Sequence, residues 1–433
     1  MNEVARRILT RLRARRTLNG AALPDRFLLP AYEGHSLANI PATALAHFGV
    51  PGPPTPPLAP EVVGDQLKGA RKLVVLLIDA LGYLPLTAQM ASDRGLSLND
   101  LARRGRYAPL TSVFPSTTSA TLSTLHTGLP PSGHGIVGYR MYLPERGVVA
   151  NMIRLSPDAD ERFNQLLRAP EDGPALLGVP TVHRRLTRAG VRSICLIEKA
   201  IFRSGLSQML YADATATIPY VNSSDLFVQV RKLLETDPDQ PACIWAYWGA
   251  LDTIQHDYGT WGEEPAAEVR SLAYSLQTEL VAPLRRSRGR AAALMLTADH
   301  GHIHVAEEDI LPATRFRRLR EALTAPPTGT GRSPYLHLKD GAAGALKDYL
   351  NRRLGDRVLA LRSGEALEEG LWGPGEVRAE VPGRVGDLVL LMRGSRMLFY
   401  PYRKGAKPSV LAGGSHGGLH EEEMLIPFLC VKL

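Results

Sequence analysis

The sequence predicts an α/β protein with a mainly parallel central sheet flanked by helices and a smaller inserted lobe. Three observations predict it: unbroken apolar runs of strand length, helix-like stretches between them, and acids where those runs end. The runs are "KLVVLLID" (72–79), "VRSICLIE" (191–198), "PACIWAYWG" (241–249) and "AAALMLTAD" (291–299). Continuous apolarity of this kind belongs to strands covered on both faces, as in parallel sheets. Between the last two, "SLAYSLQTELVAPLRRSR" (271–288) places its apolar residues mostly at a helical period. Asp79 and Asp299 close two runs, and Asp252 follows a third. Ligands of open α/β sheets bind beyond the carboxyl ends of the strands, so acids distant in sequence can meet there.

The 433 residues divide into four parts: a basic, Pro-rich N-terminal extension (1–64), the α/β core (65–305), an inserted lobe (306–412) and a C-terminal return to the core (413–433). "ARRILTRLRARR" supplies six arginines of an overall +8, with Val4, Ile8 and Leu12 one helical turn apart. This reads as a solvated helix laid on the protein body, or as a basic amphipathic helix for an anionic surface. "GVPGPPTPPLAPEVVG" (49–64) punctuates the chain before the first strand, while "DLVLLM" (387–392) and "SRMLFY" (395–400) are strand candidates of the lobe. Cys195, Cys243 and Cys430 sit in apolar surroundings without a CxxC pattern and read as core residues. No apolar run reaches membrane-spanning length and no signal-peptide segment follows the arginines, which predicts a cytoplasmic protein. Nor does the chain contain a recognised nucleic-acid-binding module.

Candidate chemistry lies in three histidine-bearing stretches. In "LDTIQHDYG", Asp252 and His256 are four apart and share one side of a helix, a spacing that suits a divalent ion and also arises by chance. "LTADHGHIHV" sets Asp299 and His300 at a strand end before Gly301; His302 and His304 are further ligands, groups that hold the ligands in place, or a strand edge. "AGGSHGGLHEEEMLIPF" holds His416 between glycine pairs that allow close backbone approach, with His420 and three glutamates beyond; acids favour a first helical turn, so a solvated helix start accounts for them. Nitrogen and oxygen ligands without thiolates suggest two divalent ions, zinc first and manganese second. Two such ions can activate a hydroxyl and stabilise a leaving oxygen. "FPSTTSATLSTLHTG" (114–128) is dense in hydroxyls, and Ser116, Thr117, Thr118 and Ser119 are indistinguishable as nucleophiles on their chemistry alone.

Together these blocks, with "LLIDALGY" and "GLPPSGHGIVGYRMY", resemble the alkaline phosphatase superfamily, in particular its type I phosphodiesterase/nucleotide pyrophosphatase branch, over residues 72 to 420. The resemblance implies that superfamily's fold, with one ion held by Asp252, His256 and His416 and the other by Asp79, Asp299 and His300. It implies a nucleophile nine positions before Thr127, which is Thr118, and a covalent phosphothreonine intermediate. Where the branch often carries an asparagine that holds a phosphoryl oxygen, this chain has Thr121, and Ser119 replaces an aromatic residue that lines the nucleotide pocket. Tyr83, Tyr139 and Tyr142 are candidates to replace that platform. The implied substrate is a small phosphodiester or a pyrophosphate-linked nucleotide. Monoester hydrolysis is the alternative, followed by phosphonate or sulfate ester hydrolysis, phosphoryl transfer between hydroxyls, and an inactive binding protein.

Overall fold

A computed structural model describes residues 3–160, 162–167, 172–237, 239–286, 291–403, 405–407 and 412–433. Its central sheet has seven strands: β1 (Lys72–Ile78), β2 (Arg106–Thr111), β3 (Arg192–Glu198), β4 (Ala216–Tyr220), β5 (Ala242–Trp248), β6 (Ala292–Thr297) and β7 (Leu425–Lys432). Their spatial order is β2-β7-β6-β1-β5-β3-β4. The four apolar runs therefore become four neighbouring parallel strands, with Val75 of β1 opposite Met295 of β6 and Trp245 of β5. Every residue of β1 is buried, as its unbroken apolarity requires of a strand covered on both sides. The C-terminal β7 runs antiparallel to both its neighbours, β6 and β2.

The strands that no apolar run announces are β2, β4 and β7. Both edge strands, β2 and β4, contain a proline, Pro109 and Pro219, which cannot donate to a ladder and which sequence patterns treat as a break. The helical pattern at 271–288 is observed as a helix over Glu263–Ser275 that continues through a π-helical stretch, Leu276–Val281, into Ala282–Arg286; residues 287 and 288 lie outside the described residues. All three cysteines are buried and free, and burial alone pushes the Cys430 thiol up to about 12, which makes it an inert core group.

A second seven-stranded sheet runs in the order Val358–Arg362, Leu388–Met392, Pro334–Leu336, Thr328–Gly329, Arg140–Leu143, Val148–Asn151 and Ser156–Pro157. It joins strands from 140–157 to strands from 328–392, segments far apart in sequence.

The basic N-terminal stretch is a helix, α1 (Glu3–Ala14), whose Ala5, Ile8, Leu9 and Leu12 are buried against the body. Arg13 and Arg26 meet Glu421 at 2.7 and 2.8 Å, and Arg26 also reaches Glu422 at 3.0 Å. The expectation of a solvated helix start at Glu421–Glu423 is corrected on this point. The acids do open a short helix, Glu421–Met424, but Glu421 and Glu423 are buried and ion-paired. Glu423 takes a bidentate pair from fully buried Arg332, at 3.1 and 2.8 Å, and accepts from the Gly418 amide at 2.8 Å. The turn that carries His416 is thus fastened to the second sheet by a charge pair shielded from water.

Candidate active site

Beyond the carboxyl end of the sheet, Asp79 and Asp299 lie side by side. Asp79 follows β1 and Asp299 follows β6, the neighbouring parallel strand, so register alone brings them together. Ala80, at φ +65°, turns its amide to Asp299 Oδ1 at 3.0 Å, and the His300 amide donates to the same oxygen at 2.9 Å. The Tyr247 hydroxyl, from β5, donates to Asp79 Oδ2. Each acid keeps one buried oxygen, Asp79 Oδ1 and Asp299 Oδ2, without a hydrogen-bond partner. Those two oxygens lie 3.5 and 3.3 Å from His300 Nε2.

This geometry is electrostatically incomplete. Burial first, and then the nearby charges of Asp299 and Asp252, pushes the Asp79 carboxyl well above the usual range; burial pushes Asp299 up to about 7. Burial pushes His300 down to about 3. Two acids and a neutral imidazole converging on one point, with oxygens unpaired, match the donor set of a divalent cation.

A second group stands beside the first. Asp252 Oδ1 lies 3.6 Å from His256 Nε2, 4.0 Å from His416 Nε2 and 2.8 Å from His302 Nε2. Asp252 and His256 share α3 (Ala250–Tyr258), one turn apart as their spacing predicts. His416 arrives on the glycine-rich turn. At Gly413 (φ +137°) a Cβ would stand 2.1 Å from the His256 carbonyl, and at Gly414 one would stand 2.2 Å from that of Gln255. Only glycine lets this strand press against α3.

The imidazoles show which nitrogen each offers. His256 Nδ1 lies 2.8 Å from the Gly414 carbonyl, His416 Nδ1 2.9 Å from that of Ser116, and His300 Nδ1 3.2 Å from that of Gly301. A carbonyl only accepts, so in each ring Nδ1 carries the proton and Nε2 presents its lone pair to the site, the usual preparation of a metal-binding histidine. His302 is arranged the other way: Nε2 meets the Asp252 carboxylate, and Nδ1 is buried without a partner. It belongs with the metal-suited residues Asp252, His300 and His416 by position, and holds Asp252 by hydrogen bonding. The two groups, Asp79–Asp299–His300 and Asp252–His300–His302–His416, share His300 and suit two divalent ions.

Thr118 is the hydroxyl of this stretch that reaches His300. It opens α2 (Thr118–Thr127), with Thr117 as N-cap, and its Oγ1 lies 3.3 Å from His300 Nε2. Ser116, Thr117 and Ser119 are buried; Ser116 donates to the Gly418 carbonyl and Ser119 to that of Gly138, both at 2.9 Å. Thr121 is not brought to the site: it is buried, its hydroxyl turns back to the carbonyls of Thr117 and Thr118 at 2.8 and 3.1 Å, and it is absent from the cavity wall. That cavity, about 840 Å³, is lined by Asp79, Thr117, Thr118, Asp252, His256 and His416, and also by Tyr139 and Arg140.

Of the three tyrosines, only Tyr139 lines it; Tyr83 stacks on Tyr107 in the core and Tyr142 packs on His337. His304 is exposed on its strand, and His420 caps the short helix through Glu422 N. Sequence reasoning missed Tyr247 and left His302 open. Nothing in "ACIWAYW" marks one tyrosine out, whereas the alternation in "DHGH" does place His302 on the face opposite Gly301.

A mainly parallel sheet flanked by helices, with two carboxylate–imidazole groups and a helix-borne hydroxyl at its carboxyl edge, suits a metal-dependent hydrolase. The family profile "Type I phosphodiesterase / nucleotide pyrophosphatase" matches residues 73–419, and the chain belongs to that family, a branch of the alkaline phosphatase superfamily. It is accordingly a metal-dependent hydrolase of the phosphodiesterase/nucleotide pyrophosphatase type. Murine ectonucleotide pyrophosphatase/phosphodiesterase 5 shares its fold at TM-score 0.61 and 18% identity, over 83% of this chain and 88% of that one. The human counterpart gives 0.62 and 16%, over 83% and 87%. Phosphonoacetate hydrolase from Sinorhizobium meliloti 1021 gives 0.62 and 21%, over 85% and 92%. By sequence, no curated protein matches the chain. The expected cytoplasmic location is corrected here: two of these neighbours are ecto-enzymes by name, and the lack of a spanning segment does not fix a compartment. Among the described residues no helix is long and apolar enough to cross a membrane.

Proposed function

We propose that the protein cleaves phosphodiester or nucleotide pyrophosphate bonds in small substrates through a covalent phosphothreonine at Thr118. The observation that carries this reading is the position of Thr118 Oγ1, 3.3 Å from His300 Nε2 at the start of α2 and on the wall of the cavity. In this reading Asp79, Asp299 and His300 hold one ion and Asp252, His256 and His416 the other, with His302 steadying Asp252. Bound there, the ions supply positive charge that favours the ionised threonine hydroxyl and the departing oxygen. Thr118 Oγ forms the bond to phosphorus as the bond to the leaving oxygen breaks; water then cleaves the phosphothreonine and restores the hydroxyl. The Ala120 amide in the first turn of α2 is taken by the Thr117 cap, which leaves the amides of Thr118 and Ser119 as donors for a phosphoryl oxygen. A murine neighbour described as inactive when a threonine is changed to alanine, and seen in complex with AMP, supports a threonine nucleophile and a nucleotide substrate. Residues 65–305 and 413–433 carry the chemistry, 1–64 braces the core, and 306–412 supplies part of the cavity wall.

A small phosphonate is the second reading, favoured by the fold likeness to a hydrolase seen in complex with phosphonoacetate. Wild type and Thr118→Ala, loaded with zinc or manganese, are compared on bis-p-nitrophenyl phosphate, p-nitrophenyl phosphate and phosphonoacetate. The expected result is fastest turnover of the diester, abolished in the variant. Faster monoester or phosphonate turnover would move the substrate class, and full activity of Thr118→Ala would remove Thr118 as nucleophile.

A further inference from the structure

Next to the reaction cavity lies a second one of about 360 Å³, and the two share Tyr139, Arg140, Thr330 and Gly331 as a common wall. Their linings differ in sign. Apart from the shared Arg140, the reaction cavity presents Asp79, Asp252 and Glu198, whereas the second presents Arg154, Arg403 and Lys407, with Asp158 as the one acid lining it among the described residues.

Asp158 pairs with only one of these cations: its Oδ1 stands 3.0 Å from Arg140 Nε but 4.0 Å from Arg154 Nη2. Arg154 Nε is buried without a hydrogen-bond partner. A buried donor left unpaired is costly, and a ligand or an ion is one way such a group is completed. The Arg140 guanidinium is also held in place, 4.3 Å from the ring centre of Tyr402 and 5.1 Å from that of Tyr139. A fixed cation at the shared wall and three more lining the second cavity make a receptor for negative charge, which a plain diester arm does not carry into that space.

We propose that this second cavity is a subsite for a further anionic group on the substrate, so that the molecule cleaved carries a phosphate or carboxylate on one arm beyond the scissile phosphate. Its reacting phosphorus lies at Thr118 and its remote anion against Arg154 and Lys407, with Arg140 between them. This rests on the diesterase reading above, and binding separates the two. Calorimetric titrations of the metal-loaded protein compare thymidine 5′-monophosphate with thymidine 3′,5′-bisphosphate and with the 3′-O-carboxymethyl 5′-monophosphate.

The bisphosphate is expected to bind at least about tenfold more tightly than the monophosphate. The ratio should fall toward one in Arg154→Gln and in Lys407→Gln, the latter a substitution of an exposed side chain. A gain with the phosphate arm alone, or with the carboxylate arm as well, decides which anion the subsite takes. Equal affinities in the wild type, or a preference that survives both substitutions, overturns the proposal. Loss of diester hydrolysis with the binding preference intact would instead overturn the activity and leave the subsite standing.

Discussion

The two carboxylate–imidazole groups share one imidazole and differ in almost everything else. Around Asp79 and Asp299 the protein is closed: both acids and His300 are essentially inaccessible, and the backbone amides of Ala80 and His300 and the Tyr247 hydroxyl grip the carboxylates. Around Asp252 it is open, with the side chains of Asp252 and His256 retaining 21% and 44% of their exposure. Of the closed group only Asp79 reaches the cavity wall, whereas Asp252, His256 and His416 of the open one all line it. The closed group is built by strand register, the open one by a helix turn and a glycine-rich strand pressed together.

The largest expected contrast follows from truncating one residue of each kind. Asp299→Ala removes an acceptor of two buried amides, which costs about 1–3 kcal/mol for each donor left unpaired, as well as one ligand. It should lose an ion by elemental analysis and lower diester turnover by about a thousandfold or more. His256→Ala at the exposed rim should weaken only the open group's ion while leaving the melting temperature nearly unchanged. If the two variants behave alike in stability, the distinction between closed and open groups is wrong.

His302 sharpens the comparison at its boundary. His302→Leu removes the hydrogen bond to Asp252 without removing any of the six proposed ligands, and metal affinity should fall by about 10–100-fold. Retention of full affinity would make His302 a packing residue. Conversely, loss of one whole equivalent of metal would make it a ligand.

A last contrast sets the metal-suited groups against the polar core behind α2. His134 and His183 are buried and held neutral, burial pushing each down to about 3. The unfolded chain takes up these protons near the ordinary value of about 6.5, so the folded state loses stability as pH falls from there toward 3. Melting temperatures of chelated protein across that window should decline with acid, and His183→Gln should make the decline shallower. A pH-independent melting temperature from 6.5 to 4 would show that these histidines gain protons without unfolding.

Much of this was legible along the chain because its causes are local. Four unbroken apolar runs name four strands, the spacing of Asp252 and His256 names a shared helix face, and the glycines around His416 announce a close approach. The edge strands were hidden by their prolines, and Thr121 was misplaced because the sequence gives its position on α2 but not that its hydroxyl turns back to the helix. The Glu421–Glu423 run looked like a solvated helix start since its partners, Arg13, Arg26 and Arg332, lie far away in the chain.

The sequence by itself determined which side chains have the chemistry to bind metal and attack phosphorus, and that the strands carrying several of them belong to a parallel sheet; periodicity and residue type are properties of neighbours in the chain. Tertiary structure alone decided that Thr118 rather than its neighbouring hydroxyls meets His300, that His302 steadies Asp252, and that a buried arginine–glutamate pair fixes the His416 turn. Those outcomes depend on distances between segments brought together by packing, and no local pattern encodes them.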